Sequence, residues 1–181
     1  QEKAEHIKLE LKSHDKDVLY KIKDKMDFSG IIRDTVKSDG RRSSVLRVCR
    51  KSMCEDLFNL GLARKDKTNN TTFPNELTDE LYWDFIRGVF EGDGSISHYT
   101  GNTDDLRITL CGATKSFMEK LQSTLEKHGV RMTMRRNNSN VLTLTNKSNA
   151  DALCMCYFMY ANTTDGERLR RKFNVYQNYV V

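Results

Sequence analysis

An internal repeat divides this sequence into two similar halves. The segment IKLELKSHDKDVLYKIKDKM, which starts at Ile7, has the same order of apolar and polar residues as LRITLCGATKSFMEKLQSTL, which starts at Leu106. In each, a strand with alternating apolar residues is followed by a helix with one apolar face. The offset is 99 residues, and a repeat this long indicates two folded units rather than a solenoid.

The repeat continues beyond the first helix of each half. The segment that starts at Gly30 matches the one that starts at Gly129 with the same offset, and after a shorter hairpin Val45 matches Val141. Serine, aspartate, asparagine and glycine residues mark the two hairpin turns. Each half is therefore predicted to run strand, helix, strand, hairpin, strand, helix.

A polar segment separates the two halves. Residues 65–77 hold the single proline, Pro74, and are rich in asparagine, threonine and charged residues, which is typical of a linker. The predicted units are then residues 1–64 and residues 78–181.

The composition is that of a charged, soluble protein. Of 181 residues, 30% are charged and 38% hydrophobic, and no apolar run approaches the roughly 20 residues that a membrane helix needs. Five cysteines without a CxxC pair argue against a zinc site or a disulfide framework, and favour an intracellular, reducing location. The net charge of +5 is only a weak indication of a polyanionic partner.

The second half opens with a helix that the first half lacks. The stretch YWDFIRGVFEGDGSISHY begins at Tyr82 as an amphipathic helix and ends in Gly92, Asp93 and Gly94. A shift by 99 residues would place the counterpart of Asp93 before residue 1. We therefore expect this sequence to be a fragment, or another chain to supply the missing helix.

Two acidic residues lie at the C-terminal end of this helix. Glu91 and Asp93 stand where the helix dipole is negative, so their charges cost stability there unless something compensates them. One interpretation is an ordinary packing helix that ends at a glycine in the left-handed conformation, Gly94, with both acids solvated.

The stretch IRGVFEGDG, residues 86–94, resembles the signature of the LAGLIDADG homing endonucleases. Gly88 and Gly92 stand at positions where the family has small residues, Glu91 replaces the first acid, and Asp93 is the closing acid. The duplication, the linker and the basic, aromatic ending ERLRRKFNVYQNY agree, so the resemblance covers essentially the whole chain. The missing first copy of the motif is the departure.

The resemblance implies an α+β fold of two αββαββα units related by pseudo-twofold symmetry, with the first helix of unit one missing. Their antiparallel sheets would form a DNA-binding saddle. Gly88 and Gly92 would allow two motif helices to pack closely. Asp93 and Gly92 would hold Mg²⁺ or another divalent cation for site-specific hydrolysis of double-stranded DNA. The chain would act as a monomer if the first motif is present, and otherwise as a dimer or with a second chain.

A basic residue near the scissile phosphate is also expected in this family. Lys65 or Lys67, after the first unit, and Lys172, in the last helix, are the candidates. His98 follows the motif closely, but a histidine there is more often a surface residue of a strand.

The alternation of the strands predicts one apolar sheet face and one basic, polar face in each unit. Such a face can lie in the major groove, where arginine reads guanine and threonine contacts thymine methyl groups. The ordinary interpretation, for any single residue, is a solvated strand surface. The predicted DNA contacts are Lys8, Lys12, Arg33, Arg41, Arg42, Arg47, Arg107, Thr109, Arg131, Thr133, Arg135, Arg136 and Thr143.

Two other functions remain open from the residues. The same fold serves as an RNA maturase, which would bind intron RNA, or as a DNA-binding regulator; retention of Asp93 favours cleavage. A plain interaction domain gives no reason for a basic outward face in both halves. The ends of the sequence supply none of the splicing residues of a complete intein, which leaves the host element, intron, intein or free-standing gene, undecided.

Overall fold

The computed structural model describes residues 6–74, 76–112, 114–137 and 139–181, without the side chains of Lys67 and Thr68. The chain divides into two compact units, of which the first comprises Gln1–Leu57 and Thr164–Arg170 and the second Phe58–Thr163 and Arg171–Val181. Among the described residues, no helix combines the length and the apolar character that a membrane span requires.

The first unit is a three-stranded antiparallel sheet with helices. In chain order its elements are β1 (Ile7–Lys12), a 3-10 turn (Ser13–Asp15), α1 (Lys16–Lys25), β2 (Ile32–Val36), β3 (Arg42–Val48) and α2 (Lys51–Asn59). The sheet order is β1-β3-β2. Leu19 of α1 and Leu46 of β3 are fully buried and form a small core with Ile32 and Val48.

The second unit is larger and has a four-stranded antiparallel sheet. In chain order its elements are α3 (Lys67–Asn70), α4 (Asp79–Asp93), β4 (Ser95–Tyr99), β5 (Asp105–Cys111), α5 (Lys115–Lys127), β6 (Met132–Arg136), β7 (Leu142–Asn146), α6 (Asn149–Tyr160) and α7 (Arg170–Val180). The sheet order is β4-β5-β7-β6. The α5 and α6 helices begin at side-chain caps, since Thr114 accepts a bond from the Phe117 amide and Ser148 from the Asp151 amide.

The fold class predicted from the sequence is confirmed. From α4 to α6 the second unit has the order αββαββα, and the first unit has the order βαββα. The repeat is visible in these elements, because β1, α1, β2, β3 and α2 correspond to β5, α5, β6, β7 and α6.

The segment predicted as a linker, residues 65–77, is packed onto the second unit. It contains α3 and the buried Phe73, whose ring lies 5.2 Å from that of Phe85 and 5.6 Å from that of Phe117. A large aromatic side chain stabilises the fold by burial, which the polar composition around it does not reveal.

The central strand β5 separates a buried face from an outward face, as the alternation predicted. In β5, Leu106, Ile108 and Leu110 are fully buried, whereas Arg107 between them is exposed. The outward face of the second sheet therefore carries the alternate residues of β4, β5, β7 and β6.

Candidate functional site

Helix α4 places the acidic end of the motif at the surface of the second unit. Tyr82, Ile86 and Phe90, spaced four residues apart, bury one side of the helix in the core. The last residue of the helix is Asp93, and the amide of Gly94 donates to the oxygen of Phe90 over 2.9 Å. Asp93 is thus exposed at the end of a helix whose apolar side is packed in the core.

Gly94 is needed for a close approach and not for a left-handed backbone. Its φ is −87°, so the left-handed cap that the packing-helix interpretation assumed is wrong. A Cβ at Gly94 would lie 2.6 Å from the oxygen of Phe90. The chain can turn directly from α4 into β4 because this position has no side chain.

Asp93 lies beside the outward face of the sheet. Its charge influences the pKa of the Cys111 thiol. Cys111 lies on the same face of β5 as Arg107 and Thr109. Burial raises the pKa of the Cys111 thiol, Asp93 raises this pKa further, and Lys172 opposes the rise. The charges of Asp93 and Lys172 therefore both act on Cys111.

Glu91, the other acid of the motif, faces the interior. Its Oε1 accepts a hydrogen bond from the hydroxyl of Tyr160 at 2.8 Å. Burial and the neighbouring Glu91 raise the pKa of Tyr160 well above its ordinary value. Glu91 is thereby a structural carboxylate, and Asp93 is the one acid that the motif presents to solvent.

Lys172 of α7 compensates the charge at the end of α4. It is 4% exposed, and its Nζ donates to the main-chain oxygens of Phe90, of Glu91 at 3.1 Å and of Gly94 at 2.7 Å. The Nζ also lies 4.6 Å from the centre of the Phe90 ring. A cation at this end of a helix satisfies its last carbonyls and opposes its dipole. The sequence predicted a catalytic contact for Lys172, and burial against three carbonyls contradicts that role.

Among the described side chains, neither Lys65 nor His98 forms a hydrogen bond or an ion pair with Asp93. The side chain of Lys67 lies outside the described part of the chain, and Lys65 is exposed. His98 shares the inward face of the sheet with Leu106, its partner across the strands. Its Nε2 contacts a carboxylate oxygen of Asp104, and its ring lies edge-on to Tyr179 at 4.9 Å.

Gly88 and Gly92 leave one face of α4 open. A Cβ built at either position meets no atom within 4 Å. The predicted close packing of a second helix on these glycines is therefore not made by the described residues.

The residues at Asp93 fit a metal ion shared with a phosphate, but not a metal ion held by protein alone. Among the described residues there is no group of three or more histidine, cysteine, aspartate or glutamate side chains that would hold a metal. The motif itself offers the exposed carboxylate of Asp93 and, next to it in the sequence, the main-chain carbonyl of Gly92. Mg²⁺ commonly takes one or two carboxylates and completes its shell with phosphate oxygens and water.

The outward face of the first sheet forms a basic groove of about 720 Å³. Four cations line it, two from β2 and its end, one from β1 and one from β3: Arg33, Lys37, Lys8 and Arg47. Glu10 lies among them and accepts from Lys8 at 2.6 Å, from Lys37 at 3.1 Å and from the Ser43 hydroxyl at 2.7 Å. These contacts lower the pKa of Glu10 to about 2, so the carboxylate stays charged and holds the lysines in place.

Three other residues predicted for this face differ in their setting. Lys12 is exposed at the end of β1. Arg41 is bound within the hairpin turn, where its Nε donates to Asp39 at 2.7 Å. Arg42 alternates with Ser44 and Leu46 along β3, so its side chain lies on their inward side of the sheet, at the exposed end of the strand.

The outward face of the second sheet carries fewer cations. Arg107 is exposed, pairs with Asp105 at 2.7 Å and stacks over Tyr99 at 5.0 Å. Thr109 lies with its hydroxyl 3.4 Å from that of Thr145 across the strands. Thr133 and Arg135 lie on the same face of β6, and the Arg135 side chain is exposed.

Three predicted contacts of the second unit form hydrogen bonds within the protein, although only Thr143 among them is buried. Arg131 donates through Nε to the buried Asp151 at 3.2 Å, and its amide donates to the same carboxylate at 2.8 Å. Thr143, on the central strand β7, is 8% exposed and donates to the oxygen of Arg135. The Nη1 of Arg136 donates to the oxygen of Asn140 at 3.0 Å, which closes the hairpin.

Sequence reasoning missed Lys37 and the bridging carboxylate of Glu10. The signal for Lys37 was available, because Arg33, Thr35 and Lys37 alternate along one strand. Glu10 alternates with Lys8 and Lys12 along the sequence, but its contacts with Lys37 and with Ser43 of β3 depend on tertiary pairing.

Comparisons with known proteins agree with this fold. Residues 80–171 match the family described as the LAGLIDADG-like domain. No curated protein matches the chain.

Solved structures with the same fold include two homing endonucleases in complex with DNA. The LAGLIDADG homing endonuclease I-GzeII with its DNA target has a TM-score of 0.65 and 14% identity, and the match covers 97% of this chain and 78% of that one. I-DmoI with DNA and Ca has a TM-score of 0.59 and 15% identity, with coverages of 96% and 83%.

Full-length DUF199/WhiA from Thermatoga maritima has a TM-score of 0.61 and 14% identity over 97% of this chain. This chain spans 52% of that protein, about half of its length. The match of the family over more than half of the residues, on a helix that ends in Asp93 and the sheet that follows it, shows that the chain belongs to the LAGLIDADG-like domain family.

Proposed function

We propose that the chain is a site-specific endonuclease that hydrolyses phosphodiester bonds of double-stranded DNA with a divalent metal ion. The observation that carries the proposal is the exposed carboxylate of Asp93, at the end of the motif helix and beside the outward face of the sheet. An acid facing a polyanion weakens binding unless a cation lies between them, so its presence there favours chemistry over simple binding.

Asp93 and the carbonyl of Gly92 would hold the metal ion together with a DNA phosphate. When bound, Mg²⁺ stabilises the charge on the attacking and leaving oxygens of the phosphodiester. The role of the chain is to fix the carboxylate: Phe90 anchors the helix in the core, Gly94 lets the chain turn away, and Lys172 neutralises the end of the helix.

The outward sheet faces would contact the DNA. In the first unit the proposed contacts are Lys8, Arg33 and Arg47, with Lys37 added, because these side chains line one open groove. In the second unit they are Arg107, Thr109, Thr133 and Arg135. Charges that neutralise phosphates supply salt-dependent affinity, whereas arginine and threonine on strands in the major groove can read bases.

The open face of α4 would receive a second motif helix. Gly88 and Gly92 lie four residues apart, so both are on the same side of the helix and allow another backbone to approach closely. The second helix would bring a second acid, which a double-strand cut requires if each acid serves one strand.

The test begins with selection of a bound site from a pool of random duplexes, which is then cloned into a supercoiled plasmid. Wild-type protein, Asp93→Asn and the matched control Asp84→Asn are incubated with this plasmid and Mg²⁺. Asp84 lies on the same helix and pairs with Arg87 at 2.6 Å, so its substitution removes the same charge outside the site. We expect cleavage by wild type and Asp84→Asn, and binding without cleavage by Asp93→Asn.

The product distinguishes the alternatives. Nicked plasmid indicates one working site, and linear plasmid indicates that a second acid takes part. Tight, salt-sensitive binding by all three proteins without any cleavage contradicts the proposal and supports an RNA maturase or a DNA-binding regulator.

A further inference from the structure

The C-terminal turn of α4 is held by a single buried ammonium group. Lys172 reaches it from α7, and its Nζ contacts the oxygens of Phe90, Glu91 and Gly94, which lie on both sides of Asp93 in the sequence. An ammonium group has three N–H donors, so one such group can bind three carbonyl oxygens at once. Their convergence on one atom fixes the relative positions of residues 90, 91 and 94.

The position of Asp93 depends on that arrangement. Asp93 is the last residue of the helix and lies between two residues whose main-chain oxygens accept from Lys172, Glu91 and Gly94. Asp93 also raises the pKa of the Cys111 thiol, whereas Lys172 lowers it. A cation below the helix end offsets both the helix dipole and the carboxylate before any DNA or metal ion arrives.

We infer that Lys172 is a positioning residue of the active site, which sets the place of the Asp93 carboxylate through the main chain of residues 90–94. The expected effect of Lys172 on DNA cleavage rests on the proposed function, whereas its expected effect on the C-terminal end of α4 does not. It differs from a role as a catalytic base, because Lys172 is 4% exposed and its ammonium group faces main-chain carbonyls.

Lys172→Met tests this inference, since methionine has a similar length and no donor. The first measurement is amide hydrogen exchange at Gly94, whose amide bonds the Phe90 oxygen. We expect exchange at Gly94 to become about 10- to 100-fold faster, as for the loss of partners at a buried site. The amide of Phe117, bonded to Thr114 elsewhere in the unit, serves as the internal reference.

Arg171→Met is the matched control, because it removes one positive charge from the adjacent, exposed position of α7. It should leave exchange at Gly94 unchanged. If Lys172→Met does not fold, Lys172→Arg replaces it, because a planar guanidinium keeps the charge but does not reach three convergent acceptors in the same way. The same criterion applies to that variant. Unchanged exchange at Gly94 overturns the inference.

The second measurement separates positioning from a general loss of structure. DNA affinity of the Lys172 variant should stay within about twofold of wild type, whereas single-turnover cleavage should fall at least about tenfold. In the Asp93→Asn background, which binds DNA without cleaving it, the same substitution should also leave DNA affinity within about twofold, because Lys172 acts through Asp93. A larger loss of affinity in that background means that Lys172 acts on the DNA directly and contradicts the inference. If wild type does not cleave DNA, the proposed function fails, and exchange at Gly94 still decides whether Lys172 holds the helix end.

Discussion

Replacement of Gly88 by alanine should stabilise the isolated chain and prevent the double-strand cut that a second motif helix would allow. A Cβ at Gly88 meets no atom within 4 Å, and Gly88 lies inside α4, where glycine is about 0.5–1 kcal/mol less favourable than alanine. For a chain of this length, that gain corresponds to a rise of roughly 1–4 °C in the melting temperature. The same methyl group would keep a second motif helix from approaching closely.

The assay is thermal unfolding followed by circular dichroism in dilute protein, with plasmid cleavage in parallel. Gly94→Ala is the matched control, because its Cβ would lie 2.6 Å from the Phe90 oxygen and 3.0 Å from the Phe90 Cα. These atoms belong to the main chain and move only with the helix, so Gly94→Ala should lower stability by about 1–3 kcal/mol. A fall in the melting temperature of Gly88→Ala that matches the fall for Gly94→Ala would refute the reasoning, since it would mean that the face at Gly88 is already covered.

Three further predictions follow from the contacts of the two sheets. The pKa of Glu10 is lowered from 4.5 to about 2, so its carboxylate contributes stability that is present above pH 4.5 and lost as the pH falls towards 2; the difference in melting temperature between wild type and Glu10→Gln should vanish over that range. Combined Arg33→Ala and Arg47→Ala substitutions should make the dependence of log affinity on log salt shallower by about 0.9 per lost phosphate contact, and an unchanged slope would remove these residues from the interface. Arg131→Met should lower stability by about 1 kcal/mol through the loss of its partly exposed ion pair with Asp151, with DNA affinity unchanged; a large loss of affinity would restore Arg131 as a DNA contact.

The order of the elements was predictable because it depends on local patterns. Alternation along β1 and β5 and the apolar faces of α1 and α5 recur at a fixed offset, and the apolar residues Leu19, Leu106 and Leu121 of these elements are fully buried. The motif itself is also local, which is why Asp93 and its glycines could be identified from nine consecutive residues.

The environment of the motif was not predictable, because it depends on residues that are far apart in the sequence. Lys172 reaches the carbonyls of α4 from about 80 positions away, and Tyr160 binds Glu91 from 69 positions away. The acid at a helix C-terminus raised the question of a compensating charge, and the sequence analysis assigned that role to a metal ion. In the structure Lys172 of the last helix supplies part of this compensating positive charge.

The alternation of residues along a strand identified the outward face but overestimated how many of its side chains are available to contact DNA. Thr143 has the predicted parity, yet its position on a central strand leaves it 8% exposed. Arg131 precedes β6 and turns to the N-terminal turn of α6 to bind Asp151. Burial by neighbouring strands and pairing with a distant carboxylate are tertiary effects that strand alternation does not contain.

The most direct test of the account is single-turnover cleavage of a selected DNA site by wild type and Asp93→Asn with Mg²⁺, with the affinity for the same DNA measured alongside. The account predicts that Asp93→Asn binds the site as tightly as wild type, or more tightly, and does not cleave it. Equal cleavage by both proteins would contradict the assignment of Asp93, and tight binding without cleavage by wild type would contradict the assignment of a nuclease.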